Sequence, residues 1–229
     1  MKAAIVVFPG TNREPDMVAA LNRAGITQTR LVWHKDTDLD GADLIVLPGG
    51  FSYGDYLRCG AMAAQSPVMK EVVLQARRGV HVLGVCNGFQ ILVESGLLPG
   101  ALLRNNSLKF ICKQVHLKTG TAHSAFTNTM KKDDIIRVPV AHGEGNYFAP
   151  ADLVKEMEDH DRIAFRYCNE NGILSDDENP NGSVHAIAGL LNDNRNVLGM
   201  MPHPENATCD HHANQSGLPL FESIVRTLS

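Results

Sequence analysis

Short apolar runs alternate with segments of helical periodicity over residues 1–95, and this alternation constrains the fold more than any other feature of the sequence. Residues 3–8 form a β-branched apolar run that ends in a Pro-Gly turn, and residues 16–24 then place apolar side chains at helical spacing. Strands that alternate with helices predict a mainly parallel sheet covered by helices on both faces. In such sheets, functional groups collect at the carboxyl ends of the strands.

The same patterns extend along the rest of the chain. Further strands are predicted at residues 30–33, 44–47, 80–85, 135–141, 163–167, 184–188 and 197–201, and further helices at residues 67–78, 88–94 and 218–228. We interpret the less regular second half as added, partly antiparallel strands on the same sheet. The expected fold is a flavodoxin-like three-layer α/β sheet. Since no segment looks like a linker, we expect residues 1–229 to form a single domain.

Composition excludes several classes of function. With 44% hydrophobic and 20% charged residues, the chain can bury a sizeable core. The net charge of -4 includes no run of like charges that would follow a nucleic-acid backbone or an anionic membrane. The amino-terminal apolar run is too short for the core of a signal peptide, and the five cysteines are scattered. We therefore expect a cytoplasmic protein with reduced thiols and neither a nucleic-acid nor a membrane partner.

The stretch from Gly84 to Gln90 is the most informative motif. Cys86 lies between a predicted buried strand and a predicted helix, with Gly84 and Gly88 two positions away on either side. This is the pattern of a nucleophile elbow, in which small neighbours allow a sharp turn and the helix amino terminus stabilises a thiolate. A lone cysteine is more often a buried structural residue. The flanking glycines favour a nucleophile here.

A cysteine nucleophile needs a base, and His203 is the strongest candidate among the ten histidines. It follows the apolar run at residues 197–201, so it falls at a strand end, as Cys86 does. Glu205 stands two residues later, beyond a proline, where it can accept the other imidazole N–H and fix the tautomer. In the absence of an elbow, a His-Pro-Glu sequence would more simply be a surface turn.

A glycine-rich loop follows the predicted strand at residues 44–47. Paired glycines allow close approach of the backbone to a ligand, so we expect the N–H groups of Gly50 and Asn87 to form an oxyanion hole. The same flexibility would let the loop rest with its N–H turned away until a partner docks. The aromatic residues at 51–56 suit either a protein contact or packing of the loop itself. No phosphate-loop pattern occurs.

Two histidine-containing clusters remain open at this point. Residues 142–145, His-Gly-Glu-Gly, follow a predicted strand, and they suit either a substrate pocket or a solvated glycine turn. Residues 209–212, Cys-Asp-His-His, look like a metal cluster. Adjacent histidines do not easily share one ion with Cys209, and no second ligand pair stands at zinc spacing, so we expect no metal here.

Together the Gly-Gly loop, the G-x-C-x-G-x-Q elbow and the late H-P-E resemble the triad-type, or class I, glutamine amidotransferases. Further motifs resemble one branch of that family, and they stand at residues 48–58, 105–110, 141–145, 179–183 and 199–205. The resemblance implies Cys86 as the nucleophile, with His203 and Glu205 completing a triad. It also implies that Gln90, His142 and Gly143 contact glutamine. Asn206 departs from the arginine usual in this family, and residues 209–216 look divergent.

The branch consists of glutaminases of de novo purine biosynthesis. The resemblance implies that ammonia passes to a larger ATP-using synthetase subunit, which converts formylglycinamide ribonucleotide to formylglycinamidine ribonucleotide, with a small third subunit. It implies no cofactor in this chain, since ATP and Mg²⁺ serve the synthetase. Two other classes stay open on sequence alone. One is a glutaminase of another synthetase or a stand-alone cysteine amidohydrolase, and the other is a non-catalytic flavodoxin-like binding module.

Overall fold

A nine-stranded sheet and a separate two-stranded sheet organise the protein, for which a computed structural model describes residues 1–229. The strands are β1 (Lys2–Val7), β2 (Gln28–Trp33), β3 (Leu44–Leu47), β4 (His81–Val85), β5 (Ala101–Leu103), β6 (Ile111–Thr119), β7 (Ile135–His142), β8 (Asn146–Phe148), β9 (Ile163–Cys168), β10 (Ile187–Leu191) and β11 (Val197–Met200). The helices are α1 (Glu14–Ala24), α2 (Ala61–Ala64), α3 (Pro67–Arg77), α4 (Asn87–Glu94), α5 (Ala151–Asp159) and α6 (Leu218–Leu228). The large sheet has the order β2-β1-β3-β4-β11-β10-β9-β6-β7, and β5 pairs with β8.

Five adjacent strands, β2, β1, β3, β4 and β11, run parallel, in the order typical of doubly wound sheets. The chain moves in opposite directions along the sheet from β1 to β2 and from β3 to β4. Because such crossovers are right-handed, α1 and α3 lie on opposite faces. Strand β3 is buried at all four residues, as expected for a strand covered on both sides. The predicted α/β fold is confirmed.

The remaining four strands of the large sheet are added through antiparallel pairs. Four reversals separate β11 from β7, so β7 and β9 point in the same direction as the parallel strands. The carboxyl end of β7, at His142, therefore lies at the same edge of the sheet as the carboxyl ends of β4 and β11. The sheet also curls, since the His203 N–H donates a 2.8 Å hydrogen bond to the Pro139 carbonyl of the edge strand.

The second half departs from the sequence predictions in three places. Strand β6 has no counterpart among the predicted strands, because it alternates half-exposed polar and buried residues and contains no apolar run. Helix α5 has none among the predicted helices, since it buries only Val154 and Met157. The strand predicted at residues 184–188 is wrong in its first part. Residues 184–186 form a 3-10 turn with His185 at a φ of 49°, and β10 begins at Ile187.

A continuous core of 59 buried residues lies between the large sheet and its helices. Helices α1 and α6 pack together, and α2 packs against α4. Helix α4 is buried at every position except its last and sits against β3, β4 and β11. This packing fixes the start of α4, where Cys86 lies. None of the helices combines the length and apolar composition needed to cross a membrane.

Candidate active site

The turn between β4 and α4 presents Cys86 in a strained conformation. Its backbone has φ 53° and ψ -109°, which non-glycine residues seldom adopt and which costs free energy. The neighbouring glycines explain how the turn fits. A side chain at Gly88 would collide with the Leu47 carbonyl, and one at Gly84 would collide with Leu92. Strain retained at one residue of a tightly packed turn is typical of a nucleophile elbow.

Strand pairing brings Cys86 and His203 together. Strands β4 and β11 are parallel neighbours, with Val85 opposite Met200, so both chains leave the sheet at the same edge. The Cys86 N–H donates a 2.8 Å hydrogen bond to the Met200 carbonyl and ties the elbow to β11. The Cys86 Sγ lies 3.6 Å from the Ala141 carbonyl oxygen at the end of β7. Three strand ends thus surround the thiol.

His203 and Glu205 form a buried pair, with 2.7 Å between His203 Nδ1 and Glu205 Oε1. The His203 Nε2 atom is buried and has no hydrogen-bond partner. Burial alone would lower the pKa of His203, yet the Glu205 carboxylate and the neighbouring Cys86 sulfur outweigh burial and raise that pKa to about 10. An imidazolium held beside Cys86 can stabilise a thiolate and can give a proton to a leaving group.

The glycine-rich loop after β3 packs directly on this pair. A side chain at Gly49 would lie 2.9 Å from the His203 ring and 3.5 Å from Cys86 Cβ. The Gly49 carbonyl accepts hydrogen bonds from the N–H groups of Asn12 (3.3 Å) and Arg13 (3.2 Å). Because C=O and N–H point in opposite directions across a trans peptide, the Gly50 N–H points away from these residues and has no acceptor in the protein. Turning this peptide would break two hydrogen bonds.

A chain of side-chain hydrogen bonds connects the loop, the elbow and the end of β7. The Ser52 N–H donates to Asn87 Oδ1 (3.2 Å), and Asn87 Nδ2 donates to Gln90 Oε1 (2.9 Å). Gln90 Nε2 then donates to the Glu144 carbonyl oxygen (2.6 Å). Asn87 is also the first residue of α4, where a backbone N–H has no acceptor within the helix. The Asn87 side chain is therefore fixed, and its backbone N–H lies at the helix amino terminus.

A cavity of about 370 Å³ opens beside Cys86. Its lining includes Gly50, Cys86, Gln90, His142, Gly143 and, towards the mouth, Phe51, Leu108 and Phe110. Asp55, Cys59, Arg104 and Glu144 complete the polar part of the wall. Arg104 Nε lies 3.6 Å from Glu144 Oε1. A wall with both carboxylates and a guanidinium can bind a small molecule that carries an ammonium and a carboxylate group.

Asp55, Cys59 and Glu144 influence one another electrostatically. Burial raises the pKa of Asp55, and the Glu144 carboxylate adds to this effect, although a hydrogen bond from Cys59 opposes it. Burial raises the pKa of Cys59 far above its usual range, and its contacts with the two carboxylates act in the same direction. The Cys59 thiol therefore stays protonated, in contrast to the environment of Cys86 beside His203.

His142 is buried, and both of its ring nitrogens face asparagine side chains. His142 Nδ1 lies 3.1 Å from Asn105 Oδ1, and Nε2 lies 3.5 Å from Asn181 Nδ2. Burial lowers the pKa of His142 to about 4, and the charge on His203 contributes to that shift. The imidazole is therefore neutral and engaged within the protein. The adjacent Gly143 lines the cavity and leaves its backbone available there.

Comparison with known proteins places this geometry in a family. The family model described as a CobB/CobQ-like glutamine amidotransferase domain matches residues 1–219. The chain belongs to the CobB/CobQ-like glutamine amidotransferase family. The model spans the elbow, the Gly-Gly loop and the His203–Glu205 pair, so the whole candidate site lies within the family domain.

Relatives within this glutamine amidotransferase family match over the full length. The phosphoribosylformylglycinamidine synthase subunit PurQ of Rhodospirillum rubrum is 55% identical and that of Rhizobium meliloti is 52% identical, each with 100% of both chains covered. A chain in the solved structure of PurLQS from Thermotoga maritima is 42% identical, with a TM-score of 0.88, and the match covers 100% of this chain and 99% of the other. A GMP synthase subunit from Thermoplasma acidophilum, 18% identical with a TM-score of 0.66 and with 94% of its chain covered, shares the fold.

The Cys209–His212 stretch of this amidotransferase lies in the loop before α6. His212 Nδ1 accepts a 3.0 Å hydrogen bond from the Thr208 N–H, so one ring nitrogen closes a turn. The structure brings no group of three histidine, cysteine or acidic side chains into an arrangement that could hold a metal ion. Nearby, Arg23 of α1 donates a 3.0 Å hydrogen bond to Thr208 Oγ1 and anchors the loop that contains Asn206.

Several side chains of the amidotransferase site were not identified from the sequence. Asp55, Cys59, Arg104 and Glu144 converge on the cavity from three separate segments of the chain. Their motifs were recognised, but nothing local indicates which side chains point inwards. Asn105 and Asn181 likewise stand in recognised motifs, and only the folded chain shows that they meet at His142.

Proposed function

We propose that this chain is the glutaminase subunit of phosphoribosylformylglycinamidine synthase. It hydrolyses glutamine to glutamate and ammonia, and a larger ATP-using synthetase subunit uses that ammonia to make formylglycinamidine ribonucleotide in purine biosynthesis. The single observation that carries the proposal is the buried cysteine–histidine–glutamate arrangement beside a polar cavity, in a chain that matches PurQ relatives from end to end. The acceptor chemistry, with its ATP and Mg²⁺, belongs to the synthetase subunit.

In the proposed reaction, the Cys86 thiolate attacks the side-chain amide carbon of glutamine, and the N–H groups of Gly50 and Asn87 stabilise the oxyanion. The C–N bond breaks as the His203 imidazolium gives its Nε2 proton to the departing ammonia. The product of this step is a γ-glutamyl thioester. Neutral His203 then takes a proton from water, and the hydroxide attacks the thioester carbonyl. Cleavage of the C–S bond releases glutamate and restores the Cys86 thiolate beside a protonated His203.

The cavity suits the other end of glutamine. Asp55 and Glu144 can receive the α-ammonium group, and Arg104 at the mouth can receive the α-carboxylate. Gln90, His142 and Gly143 form the wall behind them, with Gly143 offering backbone groups to the substrate. A cavity of about 370 Å³ is close to the lower limit for small-molecule sites, which fits an amino acid.

We also propose that the chain works in the cytoplasm with the synthetase and a small third subunit. All five cysteines are unpaired, as is usual in a reducing compartment. Large apolar side chains surround the mouth of the cavity, and they are Phe51, Tyr56, Leu57, Leu108 and Phe110. Leu57 is 93% exposed and Leu108 is 76% exposed. Clustered exposed apolar groups at the mouth favour coverage by another protein.

A diazo-ketone analogue of glutamine is expected to alkylate Cys86 in preference to the other four cysteines. Only Cys86 combines a helix amino terminus with a protonated histidine, whereas Cys59 in the same cavity stays a thiol. Peptide mapping after labelling provides the measurement, with exposed Cys112 as the internal control for unspecific reaction. Label found mainly on Cys59, Cys112, Cys168 or Cys209 would contradict the assignment of the nucleophile.

The isolated chain is expected to hydrolyse glutamine slowly, and the synthetase loaded with its own ligands should raise the rate at least ~10-fold, a coupling of ~1.4 kcal/mol. Docking on the apolar rim would close the cavity mouth and exclude water from the site. Glutamate release is measured with and without the partner, its nucleotide and its acceptor substrate. If the lone chain already turns over as fast as the complex, it acts as a free-standing amidohydrolase.

A further inference from the structure

The loop at residues 141–145 forms one wall of the candidate site. Its first carbonyl, on Ala141, lies 3.6 Å from Cys86 Sγ, and the Glu144 carbonyl accepts the hydrogen bond from Gln90 Nε2. Gly143 and Glu144 line the cavity. The position of this loop therefore sets the distance between the thiol and the groups that would meet glutamine. Two glycines in the loop make it flexible unless other residues hold it.

Asn105 holds the loop from one side with both ends of its amide. Asn105 Nδ2 donates to the carbonyl oxygens of His142 and Lys109, each at 2.9 Å. Asn105 Oδ1 accepts from the Gly145 N–H at 3.0 Å and faces His142 Nδ1 at 3.1 Å. The backbone N–H of Asn105 adds a 3.0 Å hydrogen bond to the Gly143 carbonyl. Asn105 is fully buried, so no water competes for these contacts.

Asn181 holds the loop from the other side. Asn181 Nδ2 donates to the Gly145 carbonyl oxygen at 2.7 Å and lies 3.5 Å from His142 Nε2. Asn181 Oδ1 accepts from Ser183 Oγ at 2.7 Å, which fixes the orientation of the amide. The His142 ring is thus enclosed, with Nδ1–H donating to Asn105 and Nε2 accepting from Asn181. A side chain on Gly145 would collide with this ring.

We propose that Asn105 and Asn181 are positioning residues of the glutaminase reaction, which clamp the His142 imidazole and so fix the 141–145 loop against Cys86 and Gln90. Neither residue reaches the reacting atoms. Their effect on glutamine is transmitted through His142 and Gly145. The inference rests on the proposed function and adds a physical role for the Asn105 and Asn181 motifs.

Asn196 offers a matched control. It is also buried, and its Nδ2 also donates to two carbonyl oxygens, on Ala76 (2.7 Å) and Val80 (2.8 Å). These contacts join the end of α3 to the approach of β4, at the opposite end of that strand from Cys86. An alanine at position 196 therefore loses comparable hydrogen bonds without touching the 141–145 loop.

The test compares Asn181→Ala, Asn105→Ala and Asn196→Ala in the assembled synthetase complex. For the first two variants, we expect the KM for glutamine to rise at least ~10-fold, while synthesis from ammonium salts and the rate of Cys86 alkylation by iodoacetamide change by less than ~3-fold. Asn196→Ala should lower the Tm but leave the KM within ~2-fold of the wild type. Asn181→Asp, which keeps the size and the acceptor for Ser183 but loses the donor to Gly145, should raise the KM like Asn181→Ala.

The outcomes separate the possible explanations. An unchanged KM in folded Asn181→Asp, or an equal rise of KM in Asn196→Ala, would show that these asparagines serve stability alone and would overturn the inference. A variant that does not fold as alanine is judged through Asn181→Asp. A wild-type complex that releases no glutamate would instead overturn the proposed function, whatever the variants do.

Discussion

Replacement of Cys86 by alanine is expected to lower glutamine-dependent synthesis by the assembled complex at least ~10³-fold, while synthesis from ammonium salts stays within ~2-fold of the wild type. Loss of the sulfur removes the only group placed to form the thioester, so no ammonia is generated. The acceptor chemistry is untouched, because it resides in the synthetase. Alanine also fits the packing, since Cys86 is buried and its neighbours Gly84 and Gly88 are unchanged. Product formation is followed with glutamine and with ammonium as alternative nitrogen sources.

Cys112→Ala serves as the control for this experiment, because that thiol is exposed and does not line the cavity. It should retain both activities. Equal loss of the glutamine and ammonium activities in Cys86→Ala would mean that this residue supports folding or assembly. Thermal unfolding of the variant alone would then show a large drop in Tm.

Replacement of His203 by alanine is expected to reduce glutamate release at least ~10³-fold, because the reaction loses the group that protonates ammonia and later activates water. A second effect follows from charge. The pKa of His203 is raised to about 10, so the imidazolium persists up to that pH and is lost only above it. Alkylation of Cys86 by iodoacetamide in the wild type should therefore change little between about pH 6.5 and about pH 9. In His203→Ala it should rise steeply with pH, since only ~1% of an unassisted thiol is ionised at about pH 6.5.

The pH dependence of alkylation separates this role from a general loss of structure. Glu205→Ala keeps the imidazole but removes its carboxylate partner, so its effect on glutamate release should be smaller than that of His203→Ala. It should also lower the pKa of His203, since burial is then opposed only by the sulfur. If His203→Ala were alkylated as fast as the wild type at the lower end of this pH range, the histidine would not be the partner of the thiol.

The sequence predicted the parallel half of the fold and the meeting of Cys86 with His203. Both residues follow apolar strands, and the carboxyl ends of parallel strands share one edge of the sheet. The side chains of the cavity wall were beyond such reasoning. Asn105 and His142 are 37 positions apart, and they meet only because the second half of the sheet curls. The conformation of the Gly49–Gly50 loop also depends on a distant contact, with residues that precede α1.

The antiparallel addition to the sheet obeys a parity rule. Four reversals lie between β11 and β7, and an even number is what returns the end of β7 to the edge where the thiol lies. Gain or loss of one strand in this region would send His142 and Gly143 to the opposite edge of the sheet. Gain or loss of a hairpin would preserve the direction. Insertions that keep the site intact should therefore add strands only in twos, and circular permutants that divide a hairpin should be the least tolerated.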